Sequence, residues 1–85
     1  MKEFIFVIKD ENGIHARPAG MLVKKAGEFC STITIKKIEK AVDAKRLFAV
    51  MGLGAKKNDE LTFTIEGEDE DLALSSLQQF CNENL

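Results

Sequence analysis

Residues 60–67, "ELTFTIEG", carry the cleanest alternation in the chain, with Leu61, Phe63 and Ile65 facing one way and Thr62, Thr64 and Glu66 the other. A strict period of two describes a strand buried on one face and wet on the other, the usual state of an antiparallel sheet. The dry face needs a second layer, and the helical stretches of the chain are long enough to supply it. The stretch therefore decides a two-layer α+β domain.

Upstream, "STITIKKI" (31–38) alternates in the same way, with Ile33 and Ile35 against Thr32, Thr34 and Lys36, and "KAVD" (40–43) reads as a short partner strand after a tight Glu39-Lys40 turn. At the start, "EFIFVIK" (3–9) is a continuous apolar and β-branched run closed by the turn chemistry of "DENG". Three other stretches carry helical spacing. From Ala16 to Phe29, the residues Ala19, Leu22, Val23, Ala26 and Phe29 recur every three or four positions while Lys24, Lys25 and Glu28 fall elsewhere. "AKRLFAVMGLG" (44–54) sets Leu47, Phe48 and Met51 on one side of a helix of about two turns, which Gly52 and Gly54 can end. In "EDEDLALSSLQQFCNENL" (68–85), Leu74, Leu77, Phe80 and Cys81 form a stripe, and the acids from Glu68 to Asp71 suit the positive end of the helix dipole. The predicted order is β-α-β-β-α-β-α.

At 85 residues the chain has room for one core and one domain, residues 1–85, burying about 60 to 65% of the surface that the unfolded form exposes. A net charge of −2 and dispersed lysines argue against nucleic acid and anionic lipid as partners. No apolar stretch approaches the roughly 20 residues of a membrane span, and Met1-Lys2-Glu3 leads straight into strand-like sequence, so the expectation is a cytoplasmic protein without membrane insertion. Cys30 and Cys81 read as reduced packing residues. With the single His15 they offer no metal-ligand spacing, and no metal or cofactor is expected.

The only histidine lies in "NGIHARPAG" (12–20). If His15 is the N-cap of the first helix, Ala16, Arg17 and Pro18 fill its first turn, where proline loses no hydrogen bond. The free amides of Ala16 and Arg17, aided by the helix dipole, then form an anion site beside the imidazole. Arg17 adds a forked cation suited to phosphate oxygens, and Gly13 permits the loop conformation that presents them. A neutral imidazole carries a ring-nitrogen lone pair that is available as a nucleophile. Two readings stand on these residues alone: a loop histidine that merely caps a helix, or a phosphoryl acceptor. The chain has no P-loop, no acidic pair arranged for magnesium and no second histidine, so an acceptor here needs a donor enzyme and is not itself an enzyme.

"GIHARPAGMLVKKA" (13–26), together with "KRLFAVMGLGAKKNDELTFTIEGEDE" (45–70), resembles HPr, the histidine-containing phosphocarrier family of the bacterial phosphoenolpyruvate-dependent sugar phosphotransferase system. The likeness covers essentially the whole chain. It implies an open-faced β-sandwich, a four-stranded antiparallel sheet with three helices on one side. It implies that His15 takes a phosphoryl group on Nδ1 from phosphorylated enzyme I and gives it to IIA components. Ala16 and Arg17 would contact that group, with Pro18 part of the same motif.

The resemblance also makes the first two helices the face that meets partners. A short helix buries only some of three large apolar residues, so Leu47, Phe48 and Met51 are expected to divide between core and docking patch. Gly20, which costs a helix about 1 kcal/mol relative to alanine, either admits a partner backbone or has drifted. A monomer is expected. In Gram-positive relatives the position of Arg46 is a serine phosphorylated by HPr kinase/phosphorylase; "KRLF" has no hydroxyl, so that regulation is not carried over. The alternative within the family is a regulatory paralogue that binds a transcription factor or metabolic enzyme according to its phosphorylation state.

Overall fold

In the computed structural model, which describes all 85 residues, the elements follow the expected order: β1 (Lys2–Val7), α1 (Ala16–Ala26), β2 (Thr32–Lys37), β3 (Lys40–Asp43), α2 (Leu47–Met51), β4 (Glu60–Glu66) and α3 (Glu70–Asn84). The strands form one antiparallel sheet in the order β1-β4-β2-β3. The alternating stretch β4 is therefore central, and Phe63 lies opposite both Phe4 and Ile35. Its ring stacks on Phe4 at 4.7 Å between centroids. Ile33, Ile35, Leu61, Phe63 and Ile65 are fully buried beneath Ala19, Leu22 and Ala26 of α1 and Ala73, Leu77 and Cys81 of α3. The other face stays open, as an open-faced sandwich requires.

β1 also alternates, although its composition hides the pattern. Phe6 and Ile8 point inward, while Ile5 is 58% exposed and Val7 is also exposed on the edge strand. The first helix ends at Ala26, capped by Gly27, and Phe29 reaches the core from the turn beyond it. The β2–β3 turn falls at Ile38-Glu39 rather than Glu39-Lys40, because Lys37 pairs with Lys40. Ile38 takes φ 56° there and is 82% exposed. α2 is shorter than its apolar pattern suggested, and its fully buried anchor is Val50, with Leu53 buried just after it. Cys30 is exposed and does not pack. Cys81 is buried, and desolvation pushes its thiol up to about 12.

The acid run before α3 has a structural task. Asp69 is the N-cap residue but makes no side-chain cap bond. Its carboxylate instead accepts from the amides of Cys30 (2.9 Å) and Ser31 (3.0 Å) and from the Ser31 hydroxyl. Ser31 is fully buried, so its hydroxyl needs this partner. Gly67 allows the two turns to meet, since a Cβ there would stand 2.6 Å from Ser31 Cα. The Ser31 hydroxyl, followed by the Cys30 amide, holds the Asp69 carboxyl down from 3.8 to about 2.

A carboxyl lowered by folding contributes stability above its unfolded pKa and loses that contribution as pH falls through the folded one. Asp59 and Glu70 are lowered as well, each chiefly by a backbone amide, so they act in the same direction. The midpoint of thermal unfolding should fall between about pH 4 and pH 2, and Asp69→Asn should flatten that fall. Scanning calorimetry of both proteins across this range checks the expectation.

Candidate functional site

The site begins with a loop held rigid from behind. Asn12 donates its amide to Asp10 Oδ1 at 2.8 Å, and Gly13 donates to the Asp10 carbonyl at 3.0 Å. Gly13 adopts φ 64°, and Ile14 donates to the Ala55 carbonyl at 3.0 Å. A side chain at Gly13 would overlap that carbonyl oxygen and come within 2.8 Å of Lys56 Cα. Ile14 is buried, so the next residue is turned outward.

That residue, His15, is the N-cap of α1 with φ −92° and ψ −175°, and its side chain makes no cap bond. The imidazole is exposed and free to react. The His15 carbonyl accepts the Ala19 amide at 3.0 Å, the first bond of the helix. The amides of Ala16 and Arg17 precede that bond and have no intrahelical acceptor, while Pro18 has no N–H to lose. Arg17 is exposed and takes part in none of the ion pairs of the chain.

A shallow recess of about 240 Å³ opens beside these groups, lined by Asp10, His15, Arg17, Pro18, Met21, Glu83 and Asn84. Sequence reasoning did not find Asp10, Glu83 or Asn84, because only the fold brings the end of α3 and the loop after β1 to the start of α1; Met21 follows Pro18 by three positions on α1, so helical spacing could have found it. The Leu85 carbonyl accepts the Lys9 and Asp10 amides, each at 2.8 Å, which fixes this meeting.

α1 and α2 pack together on the covered side of the sheet. Leu47 and Met51 are partly exposed and Phe48 is 83% exposed, so the burden of packing falls on Val50 and the three large residues form a surface patch. The expected division of these three between core and patch is thus replaced by a patch of all three. Gly20 has no heavy atom of the rest of the chain within 4 Å of the place a Cβ would occupy, leaving its helix face open. Arg46 is the exposed N-cap of α2 and provides no side-chain cap. No helix is long and apolar enough to cross a membrane.

The sequence model described as the PTS HPr component phosphorylation site matches residues 2–83. The chain belongs to the HPr family. The phosphocarrier protein HPr of Lysinibacillus sphaericus is 45% identical over 83 residues, covering 98% of this chain and 94% of the relative. An HPr of Thermoanaerobacter tengcongensis superimposes with a TM-score of 0.94 at 36% identity, covering 99% of this chain and 94% of the other. Crh, a catabolite repression protein of Bacillus subtilis whose crystal structure shows a swapped dimer, is more distant in shape, with a TM-score of 0.78 at 32% identity over 94% of this chain and 92% of the other. Members of the HPr family are phosphocarriers of the phosphotransferase system, and the open-faced sheet with its three helices is theirs.

Proposed function

We propose that this chain is a cytoplasmic, monomeric phosphocarrier that receives a phosphoryl group on His15 from phosphorylated enzyme I and passes it to IIA components. The observation that carries this reading is an exposed, unbonded imidazole set at a helix start whose first amides are free. The His15 Nδ1 lone pair attacks phosphorus while the bond between phosphorus and the donor's phosphorylated group breaks; the donor group leaves with that electron pair and takes up a proton, and the phosphorylated imidazole releases its ring proton to solvent. The Ala16 and Arg17 amides and the Arg17 guanidinium receive the phosphoryl oxygens, with Pro18 fixing the turn that aims the amides. Transfer to a IIA component reverses the roles, and the carrier is regenerated without net turnover.

The test is incubation with phosphoenolpyruvate and a cognate enzyme I. An acid-labile, base-stable phosphoryl group on the chain is expected; absence of label with an active donor overturns the reading.

Docking falls to Leu47, Phe48 and Met51 with the open flank at Gly20. Phe48→Ala should raise the KM for the donor about 5- to 30-fold, the effect of losing an aromatic anchor, while unfolding free energy stays within about 0.5 kcal/mol because the ring is exposed. Steady-state transfer and urea titration measure the two quantities.

A regulatory role is the second reading, supported by the likeness to Crh. Arg46 argues against control through a phosphorylated serine at that position, since guanidinium has no hydroxyl to modify. A regulator should bind a partner outside transport differently in its phosphorylated and free forms, which comparative pull-down would reveal.

A further inference from the structure

β2 places Ile33, Ile35 and Lys37 in successive positions on the covered face of the sheet, so a lysine stands where the alternation calls for an apolar residue. Its side chain is only 23% exposed. The ammonium reaches the carbonyls of Leu53 at 3.3 Å and Gly54 at 3.1 Å and Asp59 Oδ2 at 3.2 Å. An ammonium has three donors, and here three oxygens converge on it.

Those oxygens belong to the exit of the docking helix and to the 55–59 loop that backs the phosphoacceptor loop. Leu53 and Gly54 are the exit of α2, a five-residue helix with no side-chain cap at its start and too short to hold its shape by itself. Asp59 closes the following loop, accepting the Lys56 amide at 2.8 Å on the same oxygen. Within that loop, the Ala55 carbonyl accepts the Ile14 amide, against which His15 is set. Lys40 makes an informative contrast, because it reaches the Gly52 carbonyl at 2.9 Å and nothing in the 55–59 loop.

We infer that Lys37 is a positioning residue that holds the docking helix and the phosphoacceptor loop in one fixed relation. This rests on the carrier reading above. It goes beyond that reading by assigning transfer efficiency to a side chain that touches neither the phosphoryl group nor the exposed patch. Lys40 secures the end of α2 alone, so the two lysines should separate docking from chemistry.

The experiment compares Lys37→Met, Lys37→Arg and Lys40→Met with the native chain in transfer from phosphorylated enzyme I, alongside amide hydrogen exchange of the carrier alone. Lys37→Met should raise the KM for the donor and lower kcat, each by about threefold to tenfold, as expected when hydrogen bonds to a charged group are lost. Lys40→Met should raise KM only. Exchange at the Ile14 amide should quicken in Lys37→Met and not in Lys40→Met, and Lys37→Arg should restore most of both properties. Unchanged Ile14 exchange in Lys37→Met overturns the inference, as does an activity loss that merely follows the unfolded fraction. If the native chain takes no phosphoryl group, the carrier reading fails, while the exchange comparison still decides whether Lys37 couples the two segments.

Discussion

His15→Ala is expected to leave a folded chain that acquires no acid-labile phosphoryl group. The side chain is exposed and makes no hydrogen bond in the fold, so its removal should alter unfolding free energy by no more than about 0.5 kcal/mol. Its chemical effect should be at the other extreme. The free amides and Arg17 would remain, but no other imidazole, thiol or hydroxyl lines the recess, and its carboxylates, Asp10 and Glu83, would give an acyl phosphate rather than a phosphohistidine; Cys81 is buried with its thiol raised to about 12. Removing a nucleophile that has no substitute lowers transfer by at least about 10⁴-fold. Label counting after incubation with phosphoenolpyruvate and enzyme I, with circular dichroism of the same sample, separates loss of chemistry from loss of fold. A label that survives in His15→Ala would place the acceptor elsewhere.

The second large effect is on folding. Gly13→Val forces a β-branched residue into φ 64° and drives its side chain into the Ala55 carbonyl and Lys56. Left-handed backbone strain costs roughly 1–3 kcal/mol and overpacking roughly 1–3 kcal/mol, so a loss of about 4 kcal/mol is expected. A domain of this length is stable by only about 4 to 13 kcal/mol, so the variant should lose about a third of its stability or more. Any folded fraction should have its 13–15 loop displaced from Ala55 and transfer poorly. Urea denaturation measures the first effect, and the loss of Ile14 amide protection reports the second. By contrast, Gly20→Ala meets nothing and removes a helix-breaking residue.

The strands were legible where pattern and burial coincide. In β4 every apolar residue of the alternating stretch is fully buried, and the match follows from its central place between β1 and β2. β1 was legible as a strand but not as an edge, because Ile5 and Val7 face water while remaining apolar. The Ile38-Glu39 turn carries no glycine, asparagine or aspartate to mark it, since pairing of Lys37 with Lys40 imposes the positive φ. In α2 the side-chain sizes misled: the smaller Val50 is the anchor, and the helix is too short for periodicity to choose a face.

The candidate site divides along the same line. His15, Ala16, Arg17 and Pro18 were readable together because one helix turn makes the arrangement, and local spacing is what a sequence shows directly. Asp10, Glu83 and Asn84 were not, because they join the recess only when α3 has folded back beside α1, whereas Met21 lies one turn along α1 and was open to the same local spacing. Lys37 was hidden for a different reason. Its three oxygen partners, on Leu53, Gly54 and Asp59, lie far along the chain and follow no local spacing.

The shared packing of α1 and α2 on one side of the sheet has a consequence for traffic. On the carrier reading proposed above, the acceptor His15 opens α1 and the apolar patch lies on the neighbouring α2, so a donor and a recipient would compete for the same surface of the carrier. Each delivery is then a departure followed by a fresh encounter, and throughput depends on how quickly partners let go and on how many carriers circulate. An excess of unloaded carriers would crowd the recipients and slow the very relay they serve.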